Sequence, residues 1–199
     1  MYTPDHFESQ EPWLEVLRRH ALGILVSTHE GELSTTHLPY RVSRDGKEIE
    51  LHMARANPHW RLLEKHPSCC LLVQGDHAYV SPSWYASKKS VPTWNYEAVH
   101  VDATAELVRD SDELWAMVTR MSDHFEEASS TWTYSALPES VRQPLLGAII
   151  GVRLQIDRAH AKQKLSQNRP DADRRRVAEE LRKRGEGNLA DQMLALLDG

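Results

Sequence analysis

Residues 24–53, ILVSTHEGELSTTHLPYRVSRDGKEIELHM, decide the fold class. Ile24 to Thr28 reads as a strand, and Glu30-Gly31 as the polar turn that ends it. Leu33 to Val42 reads as a second strand in which Pro39, having no N–H to donate, points to an edge or a bulge. Arg44-Asp45-Gly46-Lys47 is a hairpin turn, because Asp-Gly takes the positive φ angles that tight hairpins need. Glu48 to Met53 then alternates polar and apolar side chains and returns as a third strand. Three strands in hairpin order, with no crossover between them, describe an antiparallel meander.

Towards the N-terminus, Glu11 to His20 reads as a helix. Pro12 suits its first turn, Trp13, Leu14, Val16 and Leu17 form its apolar stripe, and Gly23 closes it. Towards the C-terminus, Asn57-Pro58 opens a short helix that stops before Pro67. Cys69 to Val73 is a buried strand that Gly75-Asp76 turns into His77 to Val80. Residues 81–93, with Pro82, Pro92, Lys88 and Lys89, form a long loop. Trp94 to Val108 is a long strand with Val99, Val101, Ala103 and Ala105 on one face. Asp110 and Glu113 resemble a capping box, and the helix they open carries Leu114, Val118, Met121 and Phe125. Leu145 to Ile156 returns to period two. Residues 171–197 are helical in pattern, broken at Gly185 and Gly187. Six or seven strands in hairpin order, with helices only at connections, point to a small antiparallel barrel with peripheral helices. The domain division expected is a barrel over 1–169 and a helical tail over 170–199.

Composition narrows the function classes. The net charge is −5, yet residues 158–184 carry about +6, which leaves about −11 elsewhere. The chain is therefore no polycation, and its basic character sits in the tail, where Arg174-Arg175-Arg176 reads as a solvated helix face. No apolar run approaches the roughly 20 residues that cross a bilayer. Residues 1–10 lack a secretory pattern, and the only cysteines, Cys69 and Cys70, are neighbours that seldom bridge. These features point to a cytoplasmic protein without membrane partners. Eleven histidines show no metal-ligand spacing, and no Gly-x-Ser-x-Gly elbow occurs. No metal and no catalytic residue is assigned.

Three segments remain as binding candidates. Arg55-Ala56-Asn57-Pro58 puts a guanidinium beside a capped helix start, a pattern that attracts phosphate, against the plainer reading of an ordinary connection. Residues 162–169 collect Lys162, Lys164, Ser166, Gln167 and Arg169 just after a strand, either as an anion and heterocycle edge or as a solvated basic loop. Tyr79, Trp84, Tyr85, Trp94 and Tyr96 gather around the long loop, as a ring-binding pocket or as packing.

Six ordered motifs carry a family resemblance over nearly the whole chain: residues 1–7, Thr36-His37-Leu38-Pro39-Tyr40, residues 52–58, residues 79–85, residues 91–96 and residues 164–169. They resemble the PaiB family, described as FMN-binding negative transcriptional regulators. The resemblance implies an FMN-binding split β-barrel related to pyridoxamine-phosphate oxidases and flavin reductases, in which two subunits share the FMN site. It implies FMN contacts from Thr35, Thr36, His52, Arg55, Ala56, Asn57, Trp94, Lys164, Ser166, Gln167 and Arg169. In place of the oxidases' Ser-Arg-Lys cluster the chain has Pro58-His59, which implies a weaker hold on the phosphate. The function implied is a homodimeric repressor, acting on DNA or through a regulatory partner protein. An FMN-dependent oxidoreductase, with His37 or Tyr96 as proton donor, and a haem-binding barrel are the alternatives.

Overall fold

The computed structural model describes residues 1–9, 12–87, 90–127 and 129–197. Glu11, in the expected first helix, its neighbour Gln10, and Lys88 and Lys89, in the expected long loop, lie outside them. Six antiparallel strands close a barrel in the order β1-β2-β3-β6-β5-β4. They are β1 (Leu22–His29), β2 (Glu32–Val42), β3 (Glu48–Ala54), β4 (Ser68–Val80), β5 (Thr93–Val108) and β6 (Ile149–Lys164). The chain also divides into two compact units, and β4, β5 and β6 run from one into the other.

The larger unit comprises Leu17–Val73 and His100–Ala159. Its hairpins follow the turn chemistry: Glu30 and Gly31 have φ of 49° and 86°, and Gly46 has φ of 72°. Register fixes which residues look inward. Ile49, Leu51 and Met53 face Leu154, Val152 and Ile150 across the β3–β6 ladder and are all buried. Helix α3 (Ser111–Phe125) covers the outer face of β3 and β6, with Leu114, Met117, Val118 and Met121 packed against Val108 and Leu146. Its cap is half of the expected box. Asp110 Oδ1 accepts from the Asp112 and Glu113 N–H groups at 3.1 and 2.9 Å, while the Glu113 carboxylate turns away to Arg153. Helix α4 (Glu139–Gly147) precedes β6, so Leu145 is helical rather than the start of the strand.

Two more expectations change here. Gly23 lies inside β1, where a Cβ would come within 2.8 Å of Leu71 Cδ1, so close packing rather than helix termination requires glycine. Gly75-Asp76 does not turn, since β4 is one continuous strand. Its buried positions shift from odd (Cys69, Leu71, Val73) to even (Ala78, Val80), the phase slip that a β-bulge produces.

The smaller unit comprises Met1–Val16, Gln74–Val99 and His160–Gly199. Helices α5 (Asp171–Lys183) and α6 (Gly187–Ala195) are joined through Gly185 at φ 86°. They pack Val177, Leu181, Leu189 and Met193 against Ala78, Val80, Tyr85 and Leu165. Arg174 is buried and donates to Met193 O at 3.3 Å, so it is not part of a solvated face. Its place on the packed side of an amphipathic helix draws the aliphatic stem inward. No helix among the described residues is long and apolar enough to cross a membrane.

Candidate functional site

In the larger unit, β2 pairs with β3 only from Tyr40 to Val42, and upstream of Tyr40 the seam between them opens. Helix α2 (His59–Lys65) fills that end. Ser27 and Thr36 lie on the inward phase of β1 and β2, and inward hydroxyls need partners. His59 supplies them: its Nε2 is 2.8 Å from Ser27 Oγ and its Nδ1 is 2.8 Å from Thr36 Oγ1. Asn57 Nδ2 donates to Thr36 Oγ1 at 3.2 Å, and Asn57 Oδ1 accepts from the His59 N–H at 3.0 Å. Burial holds the His59 imidazole below its ordinary pKa. His59 was missed as a site residue in the sequence, although polar residues on the inward phase of two paired strands are the signal that calls for such a partner.

The residues after β3 differ from a preformed phosphate clamp. The helix begins one residue later than expected and has seven residues, too short to present a dipole site. Arg55 donates from Nε to Gly147 O at 2.7 Å and from Nη2 to Ile149 O at 3.2 Å. The guanidinium is exposed, and its Nη1 remains for another acceptor. Ala56 is exposed in the turn. His52 lies opposite Gly151 on the outer face of β3, with a buried Nδ1 that has no hydrogen-bond partner among the described residues and a pKa held down by burial.

Thr35 is on the other side of β2 from Thr36. Register aligns it with Val26 and Cys70, and aligns His37 with Ile24 and Leu72. Together with Leu22 and Leu33, which are 57% and 65% exposed, these residues form an apolar, half-open face on β1, β2 and β4. Burial pushes the Cys69 and Cys70 thiols up to about 12 and about 11, so neither is a thiolate nucleophile at neutral pH.

In the smaller unit, β6 extends to Lys164, so Lys162 and Lys164 end a strand instead of following one. Lys164 Nζ donates to Thr93 Oγ1 and to Trp94 O. Ser166 holds φ 63° and donates to Asn95 Oδ1 at 3.0 Å. Gln167 closes its own turn, accepting from Leu165 N at 2.7 Å and donating to Gln163 O at 2.6 Å. Arg169 lies 4.7 Å above the Tyr85 ring. Trp94 is exposed, with His77 stacked at 6.2 Å and Tyr79 edge-on at 6.0 Å. The structure thus brings Thr36, Asn57 and His59 into one network, places Thr35 on the apolar face and Arg55 on the turn, and puts Trp94, Lys164, Ser166, Gln167 and Arg169 in the other unit.

Comparison with known proteins adds four findings. Residues 1–158 match the family described as "Putative FMN-binding domain". The chain is 34% identical over 204 residues to "Protease synthase and sporulation protein PAI 2" of Bacillus subtilis (strain 168), across all of this chain and 97% of that one. Among solved structures, the FAD and heme binding protein from Mycobacterium smegmatis aligns with a TM-score of 0.61 at 18% identity, over 83% of this chain and 77% of that one. The flavocytochrome Anf3 from Azotobacter vinelandii aligns with 0.59 at 20% identity, over 78% and 67%. At these identities the structural likeness is one of fold.

Proposed function

The chain belongs to the PaiB-type family of FMN-binding split β-barrels, and from that premise we propose that it binds FMN as a homodimer and acts as a negative regulator of transcription. The observation that carries this reading is the half-open face of β1, β2 and β4. A flat ring system with polar edges and a second copy of the chain both need such a surface, apolar in Ile24, Val26 and Leu72 and polar at Thr28, Thr35 and His37.

The residues fit the cofactor. Thr35 offers a hydroxyl to the ring edge, and Arg55 keeps one guanidinium edge for the phosphate while its other N–H groups fix it to Gly147 and Ile149. Thr36, Asn57 and His59 satisfy one another and so act by holding the turn that carries Arg55. The reading also takes in His52 and Ala56 of the same unit. FMN supplies one- and two-electron chemistry when bound. The reading places the protein in the cytoplasm, supported by two adjacent cysteines that are both free thiols.

The basic tail does little to favour direct DNA contact. Arg182 pairs with Asp191, Lys183 with Glu180, and Arg184 lies 4.9 Å above the Trp84 ring. A promoter-binding titration at two salt concentrations separates the routes: specific, salt-sensitive binding supports direct repression, and its absence assigns the output to a partner protein. The cofactor reading is tested by titrating FMN and riboflavin in parallel. Arg55→Ala is expected to weaken FMN about tenfold, the value of a charged hydrogen bond, and to leave riboflavin unchanged. Equal loss for both ligands, or none, removes Arg55 from the phosphate site.

A further inference from the structure

A concave site opens in the larger unit at the opposite end of β3 from Arg55. It is a cleft of about 790 Å³, a size suited to a small molecule. Four of its lining side chains are guanidiniums, from Arg18, Arg41, Arg44 and Arg120, and His20 and His124 complete its rim. The carboxylates facing them are Asp123, which is exposed, and Glu50, which lies behind the wall at 5% exposure. Both Glu50 oxygens are already taken: Oε2 accepts from Arg41 Nη1 at 2.9 Å and Oε1 accepts from Arg120 Nη2.

That arrangement holds Arg41 and Arg120 in place around one buried negative charge, so the pair carries a surplus positive charge into the cleft. Arg18 Nη2 donates to Ser43 O and Arg44 O at 3.4 and 2.9 Å, tying α1 (Trp13–Arg19) to the β2–β3 turn. The turn is further braced by Ser43 Oγ donating to Asp45 Oδ1 at 2.7 Å and accepting from the Glu48 N–H at 3.0 Å. Arg44 rides on this stiff turn, and its guanidinium has no partner among the described residues. Preorganised guanidinium forks recognise planar and tetrahedral oxyanions bidentately. Leu17 and Val42 give the cleft an apolar floor beside them.

We propose that this cleft binds a small polyanion, rich in phosphate or carboxylate groups, at a site separate from the flavin face. The inference does not depend on FMN binding. Calorimetric titration of the full chain at matched ionic strength, with inorganic pyrophosphate in one arm and citrate in the other, distinguishes the two oxyanion sources. Saturable binding is expected, weakened about tenfold in Arg44→Ala and further in Arg44→Glu, because a charge-assisted contact is lost and then reversed. Thermal melts without anion confirm that the exposed Arg44 variants fold. Protein preloaded with FMN is expected to bind the anion equally well. No saturable binding of either anion, equal affinity in the Arg44 variants, or displacement of the anion by FMN each overturns the proposal.

Discussion

His59 bridges two hydroxyls, and burial favours its neutral ring. A neutral imidazole donates with one nitrogen and accepts with the other, and the Ser27 and Thr36 hydroxyls can answer either role. His52 is likewise held below its ordinary pKa by burial. In the unfolded chain both rings titrate near about 6.5. Between that value and their lower folded values the unfolded state binds more protons, so stability is full above the unfolded pKa and falls as the pH drops through the window. Melting temperature is therefore expected to rise from pH 5 to pH 7, with a shallower slope in His59→Asn. Identical slopes in the two proteins defeat the assignment. At this scale the sequence exposed Thr35, Thr36, Arg55 and Asn57 as candidates, because their types and motif positions are local information. It did not expose that Thr36 and Asn57 are bound to His59, or that Arg55 is fastened to two carbonyls more than ninety residues away in the chain.

The elements were legible wherever one face is buried and the other is not. The first three strands, β5 and α3 follow their periodicity because pleat and helix pitch write burial directly into the order of residues. The failures are local and physical. Gly75-Asp76 has turn composition, but β4 continues through it with a phase slip that alternation alone cannot distinguish from a break. Residues 139–147 form a helix with Pro144 inside it, and Leu145, read as the start of a strand, falls within that helix. Gly151 shows what the α3 packing demands. A Cβ there would lie 2.9 Å from Leu114 Cδ1 and 3.0 Å from Met117 Sδ. Gly151→Val is expected to cost about 1–3 kcal/mol in urea unfolding through overpacking. Gly187→Ala, with nothing within 4 Å of its Cβ, is expected to be neutral or slightly stabilising. Equal effects at the two sites overturn this account of α3.

For the whole molecule, the half-open face of β1, β2 and β4 makes the oligomer testable. Light scattering is expected to give twice the 22.8 kDa of one chain, and Ile24→Lys to return the monomer with the barrel intact. A wild-type monomer rejects the dimer, and a dimeric Ile24→Lys moves the interface elsewhere. By itself, the order of residues determined an antiparallel barrel of six or seven strands and the helix α3, because these depend on spacing along the chain, and its ordered motifs carried the family resemblance. Only the tertiary structure decided which face of β2 each threonine takes, that Arg55 is fixed to backbone carbonyls, and that four arginines from α1, β2, its turn and α3 converge on one cleft. The physical reason is the same in each case: side-chain partners are chosen by closure of the barrel and by packing on it, and residues far apart in sequence leave no periodic trace of the contacts they will make.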